Sequence, residues 1–336
     1  MTRAAFRCDA GAALGAGHLM RCQTLAQALS ARGWGIEFLC RDLPGAGLDR
    51  VVAAGFDLHR LCDDRPETAR DCLSGDKAGW LIVDHYALNA GFERAACPPG
   101  WRVMVIDDLA NRDHDCVLLL DQTPGRVAAD YDGKVPDACT RLIGPDYALL
   151  RADFAIRRPV TPEASPLRRV LVAMGAADPA NATGAVLDAL AERSDLMVTV
   201  VLGSGAPHLV SVAGQVEARG RAGQLLVQHA DMAGLMARHD LAIGAGGMSG
   251  LERAAMGLPA LTVTLADNQL LAASALHASG AARLLGDVRA PGWASAIIPA
   301  LEAVVAPDVR IAMARAGLDL VDGRGAARVA GALDAA

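Results

Sequence analysis

Short apolar runs alternate with longer amphipathic stretches along the first half of the chain. Runs at residues 4–8, 35–40, 81–84, 103–107 and 117–120 read as strands. Segments of helical period lie between them, clearest at 18–31, where apolar positions recur every third or fourth residue. Strands alternating with helices imply βαβ units and a parallel sheet. The rhythm breaks at residues 157–169: Arg157-Arg158-Pro159-Val160-Thr161-Pro162-Glu163-Ala164-Ser165-Pro166 carries three prolines and no apolar period, as a linker does. Alternation then resumes, with strands at 170–174, 197–202, 225–228, 241–244 and 260–265. Helices fall at 180–193, 210–218, 232–238, 250–256 and 268–278, and the remainder from Trp293 reads as helical. The expected fold is α/β, two Rossmann-like domains at 1–156 and 170–336 facing a cleft. Ligands of such sheets lie beyond the carboxyl ends of the strands.

Composition sharpens this picture. A chain of 336 residues suits two cores better than one. It is 52% hydrophobic but only 4% aromatic, so Ala, Leu, Val and Gly do the packing, as in parallel sheets under small-residue helices. The net charge is −6 and the Lys and Arg residues are scattered, so no basic stripe marks a nucleic-acid surface. No apolar run has the length of a membrane span, and the first segment reads as a strand rather than a signal stretch. A cytoplasmic protein is expected, acting as a monomer. Cys8, Cys22, Cys40, Cys62, Cys72, Cys97, Cys116 and Cys139 all lie in the first half, without a C-x-x-C pair. They read mostly as small buried hydrophobes, and their absence afterwards sets the halves apart.

Four segments carry candidate chemistry. Asp9-Ala10-Gly11-Ala12-Ala13-Leu14-Gly15-Ala16-Gly17-His18-Leu19-Met20-Arg21 follows the first strand. Its glycines let backbone approach a ligand, and His18 falls at a helix start, where the helix dipole opposes protonation. A neutral imidazole there can act as a general base; equally, the ring can merely cap or pack. Ile243-Gly244-Ala245-Gly246-Gly247-Met248-Ser249-Gly250-Leu251-Glu252-Arg253 repeats the strand, glycine turn and helix. Amides at that helix start suit a pyrophosphate, with Glu252 one turn on to hold ribose hydroxyls. The plainer alternative is close helix–strand packing. Ala266-Asp267-Asn268-Gln269 opens the next helix, with Asp267 as N-cap and Asn268 and Gln269 within reach of a sugar. Met174-Gly175-Ala176-Ala177-Asp178-Pro179-Ala180-Asn181 is either a cleft-side turn or a helix start with Asp178 as N-cap and Pro179 first.

Weaker signals remain. Asp84-His85-Tyr86 ends a strand and could line the cleft. Asp113-His114-Asp115 matches the D-x-D pair of metal-dependent sugar transferases but lies in a polar loop without a third ligand, and reads as solvated. His59, His208, His229, His239 and His277 lack metal-ligand spacing. No G-x-S-x-G elbow or P-loop is present. Neither a metal nor a cofactor is expected.

Together these residues resemble a known family. Gly15-Ala16-Gly17-His18-Leu19-Met20-Arg21-Cys22 looks like the G-x-G-H-x-x-R-C opening of the PseG-type UDP-sugar hydrolases of pseudaminic acid biosynthesis. Further matches follow in order: Cys40-Arg41-Asp42-Leu43-Pro44-Gly45, Val83-Asp84-His85-Tyr86, Ile106-Asp107-Asp108-Leu109-Ala110, Leu119-Leu120-Asp121-Gln122 and Gly144-Pro145-Asp146-Tyr147-Ala148-Leu149-Leu150-Arg151. The second-domain turns, Gly257-Leu258-Pro259 and Asn268-Gln269 complete a similarity running from about residue 3 to 285. The resemblance implies a B-type glycosyltransferase fold related to the peptidoglycan transferase MurG. It implies metal-free hydrolysis of UDP-2,4-diacetamido-2,4,6-trideoxy-β-L-altropyranose to UDP and the free sugar. His18 is then the base, Glu252 the ribose ligand and Asn268 the residue approaching the sugar. Gly15, Gly17, Arg21, Asp84, Tyr86, Gly175, Asn181, Gly246, Gly247, Ser249 and Gln269 complete the expected substrate-binding set. The chain departs from the family's G-G-S-T-S-W-E at Gly246-Gly247-Met248-Ser249-Gly250-Leu251-Glu252, losing two hydroxyls. It also has Asp121-Gln122-Thr123 for D-Q-N and Gly175-Ala176-Ala177-Asp178 for G-G-A-D. A MurG-like transferase and a non-catalytic nucleotide-sugar binder are the alternatives.

Overall fold

The structure, a computed structural model, describes residues 2–11, 14–73, 78–162 and 165–336. Of the segments singled out above, Ala12 and Ala13 of the first glycine turn and Glu163 and Ala164 of the proline-rich stretch lie outside these. Two compact units are present: residues 1–151 with 324–336, and residues 152–323.

The first unit holds seven strands: β1 (Arg3–Cys8), β2 (Gly35–Arg41), β3 (Asp57–Leu61), β4 (Gly79–Asp84), β5 (Arg102–Ile106), β6 (Leu118–Asp121) and β7 (Thr140–Ile143). They form one parallel sheet in the order β3-β2-β1-β4-β5-β6-β7. Helices cover both faces, so its inner strands are apolar on both sides. Alternate residues of β1 divide between two cores: Ala4, Phe6 and Cys8 face one, Ala5 the other. Phe6 stacks on Phe38 at 5.0 Å between ring centroids. Strand order reverses between β1 and β4, whose registers match Cys8 to Asp84. A crevice at their carboxyl ends is the natural ligand position of such a sheet.

The second unit repeats the plan with β8 (Arg169–Ala173), β9 (Met197–Leu202), β10 (Gly223–Val227), β11 (Leu241–Ala245), β12 (Ala260–Thr264) and β13 (Ala282–Asp287). The order is β10-β9-β8-β11-β12-β13, all parallel, with the reversal between β8 and β11. Val170, Val172, Val198, Val200, Ile243, Leu261 and Val263 form its core.

Three strands escape the sequence reading: β3, β7 and β13. All three are sheet edges, with half-buried faces and charged residues that break any continuous apolar run. The expected helix at 180–193 is shorter, Ala182–Ala189. The boundaries also differ from 1–156 and 170–336. Helix Ala152–Arg157 belongs to the second unit, as do the described residues of the expected linker. The last helix, Gly325–Ala335, belongs to the first unit rather than to the domain that precedes it in sequence. Its Val329 and Leu333, four residues apart and buried, share one core with Leu25 and Leu29 of helix Gly17–Ser30. Trp34 Nε1 donates to Asp334 at 3.0 Å. A Cβ at Gly325 would lie 2.3 Å from the Ala148 carbonyl, so only glycine lets the chain return this closely. Among the described residues, no helix is long and apolar enough to cross a membrane.

Leu333→Ala leaves a cavity under helix Gly17–Ser30 and is expected to cost ~2–5 kcal/mol. Hydrogen exchange should show the lost protection in β1 and that helix. Loosening confined to residues 152–323 would contradict the packing described.

Candidate functional site

The carboxyl end of β4 carries the most tightly bonded group of the first unit. Asp84 is fully buried. His18 Nδ1 lies 2.6 Å from its Oδ1 and 3.2 Å from its backbone carbonyl. Arg21 donates to both oxygens, from Nε and NH2, at 2.6 Å each, and Cys22 Sγ adds a contact at 3.4 Å. His18 and Arg21 sit three residues apart on helix Gly17–Ser30, so one helix face delivers both to one acceptor. Burial alone would raise the Asp84 carboxyl; the Arg21 charge and the hydrogen bonds from Arg21 and His18 outweigh it and hold the group far below the usual carboxylate range. Arg21 is held charged by the same pairing, against its own burial. Burial pushes the Cys22 thiol up to about 11.

An ionised carboxylate only accepts, so the bond at 2.6 Å places the imidazole proton on Nδ1. A neutral ring then keeps its lone pair on Nε2, which has no partner among the described residues. Tyr86 packs edge-on against the ring at 4.4 Å, and its hydroxyl donates to Asp108 at 3.2 Å. Asp108 also receives Arg21 NH1 at 2.9 Å. The sequence places His18, Arg21, Asp84 and Tyr86 at the site; their pairing, and the part of Asp108, come from the fold.

Gly15 precedes the helix with φ +76°, a left-handed conformation that favours glycine. Its amide and carbonyl bond reciprocally to Gly11 at 2.8 and 3.2 Å, closing the turn. Gly17 is the first helical residue, with open space where a Cβ would stand.

Asp84 and Arg21 were expected to touch substrate. Both are buried, and their charged atoms bond each other, His18 and Asp108. Nearby, Asp9, Asp64 and His85 bring ligand atoms within 4.8 Å of one another. Arg7 and Arg41 bond both carboxylates, so guanidinium charge already balances this group. In Asp113-His114-Asp115 the first carboxylate is exposed and the second half-exposed, as expected of a solvated pair, while His114 between them is buried against Glu93 at 2.6 Å.

In the second unit the β8/β11 reversal gathers most of the remaining candidates. Gly244 pairs with Ala173, which sets Gly175 beside Gly246 at the strand ends. Gly175 has φ +100°, again a glycine conformation. A Cβ at Gly246 would fall 2.9 Å from the Ala273 methyl, so glycine is needed for packing there. Gly247 caps helix Met248–Ala255, whose first amides point out of the turn. A Cβ at Gly247 would meet Gln269 Nε2 at 3.6 Å. Gln269 Oε1 accepts from the Leu265 amide at 3.0 Å and so holds the turn bearing exposed Asn268. Glu252 lies one turn along, half-buried.

Two expectations change here. Asp267 is not a cap; it pairs with Arg289 at 2.5 Å. Asp178 does cap, but from upstream, receiving the Ala182 and Thr183 amides at 2.9 and 2.8 Å. Asn181, left-handed and half-exposed, packs against Gly184 with its Oδ1 sealed from solvent.

Strand orders and solved neighbours together define a B-type glycosyltransferase fold. The crystal structure of MurG from Acinetobacter baumannii superposes with a TM-score of 0.68 over 100% of both chains, at 14% identity. The chain is 32% identical over 189 residues to the spore coat polysaccharide biosynthesis protein SpsG of Bacillus subtilis, covering 55% of this chain and 56% of that one. It is 29% identical over 150 residues to the UDP-2,4-diacetamido-2,4,6-trideoxy-beta-L-altropyranose hydrolase of Campylobacter jejuni, covering 44% of this chain and 52% of that one. The chain thus spans about half the length of the curated relatives it matches. No protein-family model matches it. The resemblance read from the ordered motifs is borne out as similarity to that hydrolase.

Asp84→Asn keeps the shape but strips Arg21 and His18 of their counter-charge, at an expected cost of ~3–5 kcal/mol near neutral pH. Because the folded carboxyl titrates below its unfolded value of about 3.9, its contribution is complete above that pH and fades as pH falls below it. Denaturant titrations from pH 7 to 2 should therefore give the variant a shallower acid slope than the parent. Parallel slopes would show that Asp84 does not carry the linkage.

Proposed function

We propose that the protein hydrolyses a UDP-linked 2,4-diacetamido-2,4,6-trideoxyhexose to UDP and the free sugar. The single observation behind the chemistry is the Asp84–His18 pair, which leaves Nε2 as the basic atom beside a glycine turn at a strand-order reversal. His18 Nε2 takes a proton from water, and the resulting hydroxide attacks the anomeric carbon as its bond to the diphosphate breaks. Asp84 holds the tautomer and offsets the positive charge that the ring acquires. The glycine turn before helix Met248–Ala255 receives the diphosphate, and its fixed amides stabilise the negative charge gathering on the leaving group. Glu252 holds ribose; Asn268 and Gln269 face the sugar. Similarity to the C. jejuni hydrolase supports this substrate class.

The fold shared with MurG favours one alternative, transfer of the sugar to an acceptor hydroxyl in place of water. UDP release in the absence of any acceptor separates the two.

With the diacetamido-sugar nucleotide as substrate, His18→Ala should lower kcat by about two to four orders of magnitude, the usual effect of removing a general base. Turnover close to the parent's would remove His18 from the chemistry. Hydrolysis in heavy-oxygen water should place the label on the sugar. Label in the phosphate would mean that a different bond is cut.

A further inference from the structure

Beneath the glycine turn of the second unit lies a buried cation that, among the described residues, forms no ion pair. Arg253 is 2% exposed. Its guanidinium turns back under the turn: NH2 donates to the Ala245 carbonyl at 2.7 Å and NH1 to Ser249 Oγ at 3.1 Å. Gly244 gives it room: a Cβ there would lie 2.7 Å from the guanidinium. Nε is sealed from solvent and has no partner. Among the described residues, no carboxylate lies within ion-pair distance of the guanidinium. Burial lowers its pKa only to about 10, so the group is a cation at neutral pH.

A buried charge of this kind is costly unless something balances it. What lies just above it is the amide-lined start of helix Met248–Ala255. Ser249 connects the two. Its hydroxyl reaches the Ala245 carbonyl at 3.4 Å, but that carbonyl already has Arg253 NH2 at 2.7 Å. The hydroxyl proton is free to swing toward a ligand without orphaning the carbonyl, while NH1 continues to donate to Oγ and polarises the O–H bond.

We propose that Arg253 is a positioning residue for the diphosphate, acting through Ser249 and drawing its counter-charge from the bound ligand. This rests on reading the turn as the UDP site. It also accounts for a phosphate turn that has only one hydroxyl where the family pattern offers more. The cation beneath strengthens that hydroxyl as a donor.

Calorimetric titration of the full chain with UDP and with uridine tests the proposal. Uridine lacks the phosphates, so it reports the nucleoside contacts and the integrity of the fold. Arg253→Met should weaken UDP binding by about tenfold to a hundredfold, the range for a hydrogen-bonded charge, and leave uridine binding unchanged. Ser249→Ala should show the same split, and the double variant should lose no more than Arg253→Met alone. Equal UDP affinity in parent and Arg253→Met, or UDP and uridine affinities falling in step, overturns the role. If Arg253→Met does not fold, Ser249→Ala decides alone: unchanged UDP affinity refutes the relay. Absence of UDP binding to the parent chain is a different failure, because it removes the site itself and Arg253's role with it.

Discussion

A carboxylate taken fully out of water must be matched by charge and hydrogen bonds, or it will not stay ionised. Asp84 meets that condition with two groups from one helix face, and everything at the first candidate site follows from the match. The β4 terminus sets where the carboxylate stands, and helix Gly17–Ser30 sets what reaches it. Packing of the returning C-terminal helix holds that helix in place. An imidazole on a loop could turn freely; this one is bonded through Nδ1 and flanked by Tyr86, so its other nitrogen has one direction in which to act.

The strand ends of the two units are electrically different. In the first, Asp9, Asp84, Asp107 and Asp121 cluster at carboxyl ends, and each is matched by a guanidinium: Arg7, Arg21, Arg112 and Arg126. Fully buried Tyr131 bridges Asp107 and Asp121 at 2.8 Å each. Such a surface suits proton handling and has little net attraction for an anion. In the second unit, the corresponding end offers glycine amides over Arg253, which among the described residues forms no ion pair. On the proposed reading, the first unit supplies the proton acceptor and the second receives the diphosphate.

Much of this was legible in residue order. Interior strands of a parallel sheet are apolar on both faces and announce themselves; the edge strands β3, β7 and β13, wetted on one side, do not. The glycine turns could be read because glycine is needed where φ is positive, as at Gly15 and Gly175, or where backbone and side chain crowd, as at Gly246. Partnerships across long separations could not. Nothing local shows that His18 meets a carboxylate 66 residues away, or that Asp84 is fully buried. Nor does anything local show that Arg253 turns inward beneath the glycine turn, where Gly244 makes room for it. The return of Gly325–Ala335 to the first unit was hidden for the same reason, since its amphipathic pattern does not say which core it completes.

The tautomer of His18 is the quantity on which the account turns. Nitrogen-15 chemical shifts of the imidazole, recorded at a pH where the ring is neutral, report directly which nitrogen holds the proton. Nδ1 should be protonated and Nε2 bare in the parent, with that preference lost in Asp84→Asn. A proton on Nε2 in the parent would mean that the basic atom faces a buried carboxylate instead of solvent, and His18 could not activate water.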